Sequence, residues 1–404
     1  MAITNLDKKI KAYALKNALA YEGKAQAGSV ISALFNEGLE KGEIGKYSRE
    51  IAEVVKGINE LSFEEQEQEF EKLKKFVSER PHREGLPELP KVKKTGVIMR
   101  IAPSPSGPFH IGHAATACAS FLYVQKYGGK FYVRIEDTNP ENIYKPAYKM
   151  IEEESKWLFD NKAIIVIQSE RMSIYYQYAE KLIKKGSAYV CTCSQEKFKE
   201  FAETKRECPC RNLSVEENIK RWQKMLDGLG YRDGEAVLRF KSDMLHKNPA
   251  MRDFPLARIH LTPHALQGKK YRIWPLMNLA VAVDDIEQGM THIIRGKDHR
   301  DNAERQRMIY IALGKEKQIP WTAFLGRIHF KDLELSSSKF RREIEAGKYS
   351  GWDDLRLPTI ASLRKQGYKP QAFWKFAERV GLSENDKVID KREYFILLDG
   401  FNRD

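Results

Sequence analysis

The sequence predicts an α/β protein built on a nucleotide-binding sheet, and three observations carry that reading. An apolar strand, a tight turn and a helix start follow one another between Val97 and Ala119. A second alternating strand, Lys130 to Glu136 (Phe131, Val133, Ile135), ends in Glu136-Asp137-Thr138. A third run, Thr291 to Ile294, ends in Arg295. In open α/β sheets ligands sit beyond the carboxyl ends of the strands, which puts Glu136 and Arg295 on the pocket side.

The 404 residues suffice for two or three domains, and 42% hydrophobic residues can fill ordinary cores. No apolar run reaches membrane-span length, and the start MAITNLDKKIKAYAL lacks the apolar centre of a secretory signal. A cytoplasmic protein without a membrane partner is therefore expected. The net charge of +13 points to a polyanionic partner. Residues 1 to 95 hold 17 Lys and Arg against 16 Asp and Glu, so the basic excess lies in the remainder of the chain. Attraction to nucleic acid, weakened by salt, is expected of that remainder.

Residues 1 to 80 read as helices. Ile51, Val54, Val55, Ile58 and Leu61 recur at helical spacing, and Ser62 with Glu65 forms a capping-box pattern ahead of Phe70, Leu73 and Phe76. Pro81 to Pro90, with three prolines and one glycine, reads as a linker. No reactive cluster falls in this part.

The first strand (Val97, Ile98, Met99, Ile101) stops at Pro103-Ser104-Pro105-Ser106-Gly107-Pro108 and then becomes a helix. His110 and His113 stand at that helix start, where free backbone N–H groups favour an anion and imidazoles can donate to phosphate oxygens. Gly112 lets a flat ring approach the backbone. On these residues alone, a Pro-rich loop with incidental histidines stays open. Four cysteines fall as Cys191-x-Cys193, fourteen residues, Cys208-x-Cys210, a spacing that suits tetrahedral structural zinc. A disulfide pair fits a chain without a secretion signal poorly, and metal-free thiols remain the alternative. Arg295 can hold a carboxylate through two parallel hydrogen bonds, or can pair with a neighbour such as Asp298. The serine-rich loop Leu335 to Lys339 offers hydroxyls and an ammonium to a triphosphate, with a plain polar turn as the alternative. From Pro370 onward, Phe373, Phe376, Ala377 and Val380 outline an amphipathic helix, and Tyr394 to Leu398 belong to another.

The string from Pro103 to Pro108 followed at once by His110-Ile111-Gly112-His113 resembles the signature of class I aminoacyl-tRNA synthetases, specifically the glutamyl and glutaminyl group. Arg134 to Thr138, the cysteine pairs, Arg295, and Ser338-Lys339 with Tyr349 to Thr359 follow in the order of the archaeal glutamyl form. This resemblance implies a Rossmann-like parallel sheet split by an inserted lobe that receives the tRNA acceptor end and carries the zinc. The implied parts are an N-terminal helical domain (1–90), a first half-fold (91–187), the lobe (188–270), a second half-fold (271–334) and a second-signature loop with a helical stem-contact segment (335–404).

The activity it implies is ATP-dependent formation of glutamyl-adenylate from L-glutamate, with Mg2+, then transfer to the 3′ end of tRNA(Glu), with tRNA(Gln) as a second candidate acceptor. His110, Gly112 and His113 would stabilise the phosphates, Pro103 would line the ATP site, and Ser338 and Lys339 would close over the pyrophosphate. Arg100, Ser104, Glu136, Met277 and Arg295 would contact glutamate, and Cys191, Cys193, Cys208 and Cys210 would hold Zn2+. Four positions depart from the family pattern: Glu334 and Ser337 replace lysines, Met277 stands where many relatives have tyrosine, and Cys210 where histidine is common. Rival readings are a glutaminyl enzyme, a tRNA-base glutamylating paralogue and a non-catalytic tRNA-binding scaffold. Arg295 speaks against the first, the N-terminal extension against the second, and intact His110, Gly112, His113 and Lys339 against the third. The anticodon-reading β-barrels of archaeal-type relatives are not recognisable here, so a longer chain or a separate anticodon-binding polypeptide is expected to supply them.

Overall fold

A computed structural model describes residues 4–78 and 85–403, which form two compact units. Helices Leu6–Ala20, Ala27–Asn36, Ile44–Asn59 and Phe63–Leu73 make up the first. The periodic face of Ile44–Asn59 buries Ile51, Val55 and Ile58 among Ile10, Leu15 and Leu34. The capping box is present: the Ser62 hydroxyl accepts from the Glu65 N–H and the Glu65 carboxylate from the Ser62 N–H (3.3 and 2.8 Å). Buried Gln66 donates to the carbonyls of Ile58 and Gly23 (2.9 and 3.0 Å), one in the last turn of a helix and one in the turn after another. The Ile58 carbonyl also accepts from the Leu61 N–H (3.1 Å), and the amide side chain links this helix end to the turn at Gly23.

In the second unit, strand β1 (Val97–Ile101), helix Ile111–Tyr127 and strand β2 (Gly129–Ile135) form the predicted strand–helix–strand crossover, with Met99 beside Phe131 in parallel register. The helix presents small side chains, Ala114, Ala115, Ala117, Cys118 and Ala119, all buried, so it packs close to the sheet. Gly96 (φ +85°) and Gly129 (φ +120°) open the two strands, and a Cβ on Gly129 would stand 2.0 Å from the Val97 carbonyl oxygen. Only glycine permits that approach. Strand β3 (Ala163–Ile167) pairs in parallel on the other side of β2.

The chain then leaves the parallel sheet for an antiparallel one. Strands β4 (Ala188–Cys191), β5 (Val237–Phe240), β6 (Pro255–Ile259) and β7 (Ile273–Pro275) pair in sequence order. Periodicity did not reveal this sheet, and β7 carries it past residue 270. Fully buried Tyr175, Trp222 and Trp274 centre its core, which also takes Leu279 and Val283 from helix Met277–Glu287. Strands β8 (His292–Gly296) and β9 (Trp321–Leu325) return to parallel pairing. The Thr291 N–H donates to the Ile98 carbonyl and the Thr291 hydroxyl accepts from the Ile98 N–H (3.0 and 2.9 Å), which brings β8 alongside β1.

Strands β10 (Ile328–Phe330) and β11 (Lys387–Ile389) pair in parallel near the end of the chain. Helices Pro370–Val380 and Lys391–Arg403 are integral to the parallel sheet's core: Phe373, Phe376, Tyr394 and Leu398 are buried with Phe121 and Phe131, and the Trp374 indole donates to the Leu158 carbonyl (2.9 Å). No helix among the described residues is long and apolar enough to cross a membrane.

Charge fastens the two halves of the sheet. Arg100 on β1 holds Asp285 through Nε and Nη2 (3.0 Å each), and fully buried Arg134 on β2 reaches the same carboxylate through Nη1 (2.7 Å). The neighbouring Asp284 accepts from Gln168, Tyr175 and Arg171 (2.9, 2.8 and 2.7 Å). Burial by itself would raise the Asp285 pKa, but Arg100 and Arg134 outweigh it and hold the carboxyl at about 2. Asp285→Ala strands two buried guanidinium groups and is expected to lower stability by about 3–5 kcal/mol, read as a reduced urea midpoint. Because the folded pKa lies below the unfolded value of about 3.9, the carboxylate's contribution is complete above that pH and lost as pH falls toward 2. Acid titration of the unfolding midpoint checks that sign.

Candidate active site

Two cavities meet along Gly112, His113, Thr116 and Gly296, at the carboxyl ends of β1 and β8. The larger, about 830 Å³, is lined by His110, Lys339, Leu325, Asn385 and Lys387 among others. The second, about 540 Å³, is lined by Arg100, Pro103, Ser104, Glu136, Met277 and Arg295, with Thr138, Gln168, Arg258 and His299.

His110 occupies the N-cap of helix Ile111–Tyr127 and His113 its third position. The His110 Nδ1 accepts from the Gly112 N–H (3.1 Å), and the His113 Nδ1 accepts from the His110 N–H (3.4 Å). The rings stack with centroids 3.7 Å apart. Local desolvation lowers both pKa values, to about 4 for His113 although that residue is exposed at the cavity wall, and the His113 ring lowers His110 further, so both are neutral at pH 7. With Nδ1 accepting, each neutral ring carries its proton on Nε2 and has one N–H left to donate. Phosphate would meet neutral donors here. Gly112 lines both cavities, and a Cβ there would lie 2.9 Å from Cδ1 of Leu335, which packs beside it.

This loop is anchored from three sides. The Ile111 N–H donates to the Pro358 carbonyl, the Ile360 N–H to the Phe109 carbonyl, and the Phe109 N–H to the buried Glu154 carboxylate (3.1, 3.0 and 2.6 Å). Burial pushes Glu154 up to about 8. The Glu136 N–H donates to the Pro103 carbonyl (2.9 Å), which ties the end of β2 to the proline turn.

In the second cavity, Arg295 is 8% exposed, and its Nη1 donates to Gln306 Oε1 (2.8 Å). Asp298, the alternative partner, binds Arg327 (2.7 Å). Burial first and the Arg100 charge second lower the Arg295 pKa to about 10, which leaves it cationic at pH 7. Glu136 is raised by burial and opposed by Arg134, Arg100 and Arg295. Arg100 has two nitrogens committed to Asp285, so Arg295 is the less satisfied guanidinium of the wall. Ser104 is exposed on the rim, and Met277, 39% exposed, opens helix Met277–Glu287 with a thioether wall. A buried cation and a half-buried carboxyl lining the same cavity suit a small molecule bearing both charges.

The second-signature segment differs from the expected loop. Ser337–Glu345 is helical, capped by the Ser336 hydroxyl, which accepts from the Lys339 N–H (3.3 Å). Three consecutive serines favour an N-terminus, since their hydroxyls satisfy the free N–H groups. Lys339 lines the larger cavity and pairs with Glu334. Ser338 is exposed in the first helical turn and lines neither cavity. Gly107 lets this helix close in: a Cβ there would stand 2.9 Å from both Ser337 Cβ and the Trp352 ring.

The four cysteine sulfurs lie within 4.8 Å of one another, with Cys191–Cys208 and Cys193–Cys210 each at 3.9 Å. The Thr192 N–H and an Arg221 N–H approach Cys210 Sγ (3.5 and 3.6 Å), donors that favour a thiolate. The set fits zinc: bonds of about 2.3 Å in a tetrahedron place sulfurs roughly 3.8 Å apart.

Several wall residues carried no recognisable sequence signal. Gln168 and Arg258 sit in ordinary segments, as does Glu154 behind the loop, and the Ala377–Lys387 wall of the larger cavity lies far along the chain. His299 falls in the Arg295-Gly296-Lys-Asp-His string, which could have marked it.

Residues 96–397 match the sequence model of a family described as tRNA synthetases class I (E and Q), catalytic domain. The glutamate–tRNA ligase of Methanocaldococcus jannaschii is 42% identical over 94% of this chain and 68% of its own length. That of Thermococcus kodakarensis is 45% identical over 93% of this chain and 67% of its own. A solved glutamate tRNA ligase from Elizabethkingia meningosepticum, crystallised in complex with its amino acid, superposes with a TM-score of 0.53 at 22% identity, covering 75% of this chain and 68% of that one, which is a likeness of fold. The paired histidines, the carboxyl-end cavities and these matches over most of its length lead to one conclusion: the chain belongs to the class I tRNA synthetases of the glutamate and glutamine group.

Proposed function

We infer that this chain activates L-glutamate with ATP and transfers the glutamyl group to the 3′ end of tRNA(Glu). The observation that carries the substrate is Arg295, a buried guanidinium facing the cavity that adjoins the paired histidines. A side-chain carboxylate satisfies it with charge-assisted hydrogen bonds that a carboxamide cannot match. Glu136 would receive the substrate ammonium, with Ser104 and Pro103 at the rim and Met277 as an apolar wall.

The chemistry asks for no nucleophilic side chain. The α-carboxylate oxygen of glutamate attacks the α-phosphate of ATP, a new P–O bond forms, and the bond to the β-phosphate breaks to release pyrophosphate. A terminal ribose hydroxyl of the tRNA then attacks the activated carbonyl and AMP leaves. Magnesium, where bound with ATP, offsets the triphosphate charge. His110 and His113 donate through Nε2–H as charge develops, and Lys339 approaches the leaving pyrophosphate.

The direct test is glutamate-dependent ATP–pyrophosphate exchange with tRNA(Glu) present, and its absence in the unaltered chain would favour a tRNA-binding scaffold. Charging of purified tRNA(Glu) and tRNA(Gln) side by side reads the second acceptor. Arg295→Ala is expected to lower kcat/KM for glutamate by about 2–5 kcal/mol, roughly 30- to several-thousand-fold. Exchange at the unaltered rate in that variant would contradict the assignment. For Lys339→Ala the expected loss is about 10²–10³-fold in kcat, with a smaller change in the KM for glutamate. Metal analysis should find one zinc per chain, lost in a Cys191→Ser, Cys208→Ser double variant, and chelation should open residues 191–213 to limited proteolysis.

A further inference from the structure

Arg295 borders a second, much smaller space. A cavity of about 30 Å³ is lined by Arg295, Gln306, Tyr310, Asp285 and Thr322. Two buried polar atoms of this lining, Arg295 Nε and the Tyr310 hydroxyl, have no protein partner. Tyr310 is 2% exposed and Gln306 5% exposed. They lie four residues apart on helix Arg300–Ala312, hence on one face. Gln306 accepts from Arg295 Nη1 (2.8 Å) and its own amide donates to Asn278 Oδ1 (3.4 Å). Orphaned polar groups at this depth are rare, and a space of this size holds one water when two or more polar partners face it.

We propose that Gln306 and Tyr310 are positioning residues for Arg295, acting directly and through one water in the small cavity, and that this support sets the preference for a substrate carboxylate over a carboxamide. The inference rests on the reading of the site as a glutamate pocket. A planar guanidinium reads a carboxylate only when its orientation is fixed. An acidic partner would fix it too, but would neutralise the charge the substrate needs. Gln306 and Tyr310 are neutral, and Asp285, the acid that lines the small cavity, is already held by Arg100 and Arg134. The helix therefore orients Arg295 and leaves its charge to the ligand.

The experiment measures glutamate-dependent and glutamine-dependent ATP–pyrophosphate exchange with tRNA(Glu) present, for the unaltered chain, Gln306→Leu, Gln306→Glu and Tyr310→Phe. Gln306→Leu should raise the KM for glutamate about tenfold and lower the glutamate-to-glutamine ratio of kcat/KM by a similar factor. The KM for ATP should stay within about twofold, a split that general structural damage would not produce. Gln306→Glu, which adds a rival carboxylate, should lower the ratio further. Tyr310→Phe removes one oxygen, should raise the KM for glutamate about threefold, and decides the matter if Gln306→Leu fails to fold. Unchanged glutamate KM and unchanged ratio in an active, folded variant overturn the inference alone. Absence of glutamate-dependent exchange in the unaltered chain overturns the functional reading and the inference with it.

Discussion

One buried carboxylate holds the catalytic unit in register. Asp285 joins β1 through Arg100 and β2 through Arg134, and it sits on the helix that leads from the antiparallel sheet into β8. Two guanidinium groups around one acid leave a local positive excess, which Glu136 and the neighbouring Asp284 share. The strand ends that frame the second cavity are thus set by long-range ion pairing as well as by sheet hydrogen bonds. Buried charge of this kind adds little net stability, but mispairing it is costly, so it selects one arrangement of the two half-sheets.

The same economy governs the histidine turn. Backbone N–H groups that would otherwise attract an anion directly are partly taken by imidazole Nδ1 atoms. In the proposed reaction a phosphate would therefore meet the Nε2–H groups in place of those backbone donors. Glu154 and the Pro358–Ile360 stretch hold the turn from behind, so the donors sit on a rigid base.

Much of this was readable in the sequence where chemistry is local. The strands Val97–Ile101 and Gly129–Ile135 follow from alternation bounded by proline and glycine, and the Ser62 capping box from its spacing. The four cysteines announced their cluster by pairs. The antiparallel sheet stayed hidden because strands of three to five residues, one with a bulge at Leu238–Arg239, give periodicity nothing to repeat. Asp285 drew no notice as a partner, since its arginines stand 185 and 151 residues away. The helix Ser337–Glu345 was not legible because a serine run reads equally as a phosphate loop or as a helix cap; here Ser336 caps the helix and Phe340 packs beneath it.

The Glu334–Lys339 pair has a kinetic meaning. Glu334 engages the Lys339 ammonium in the wall of the larger cavity, which Lys331 and Lys387 also line. In the proposed reaction an arriving triphosphate would compete with Glu334 for the Lys339 ammonium. Exposed ion pairs are weak, so the exchange is easily won by a polyanion. A single carboxylate ligand wins it far less readily. For the activity proposed above, such a pair would act as a charge filter, displaced by polyphosphate and retained against a monoanion.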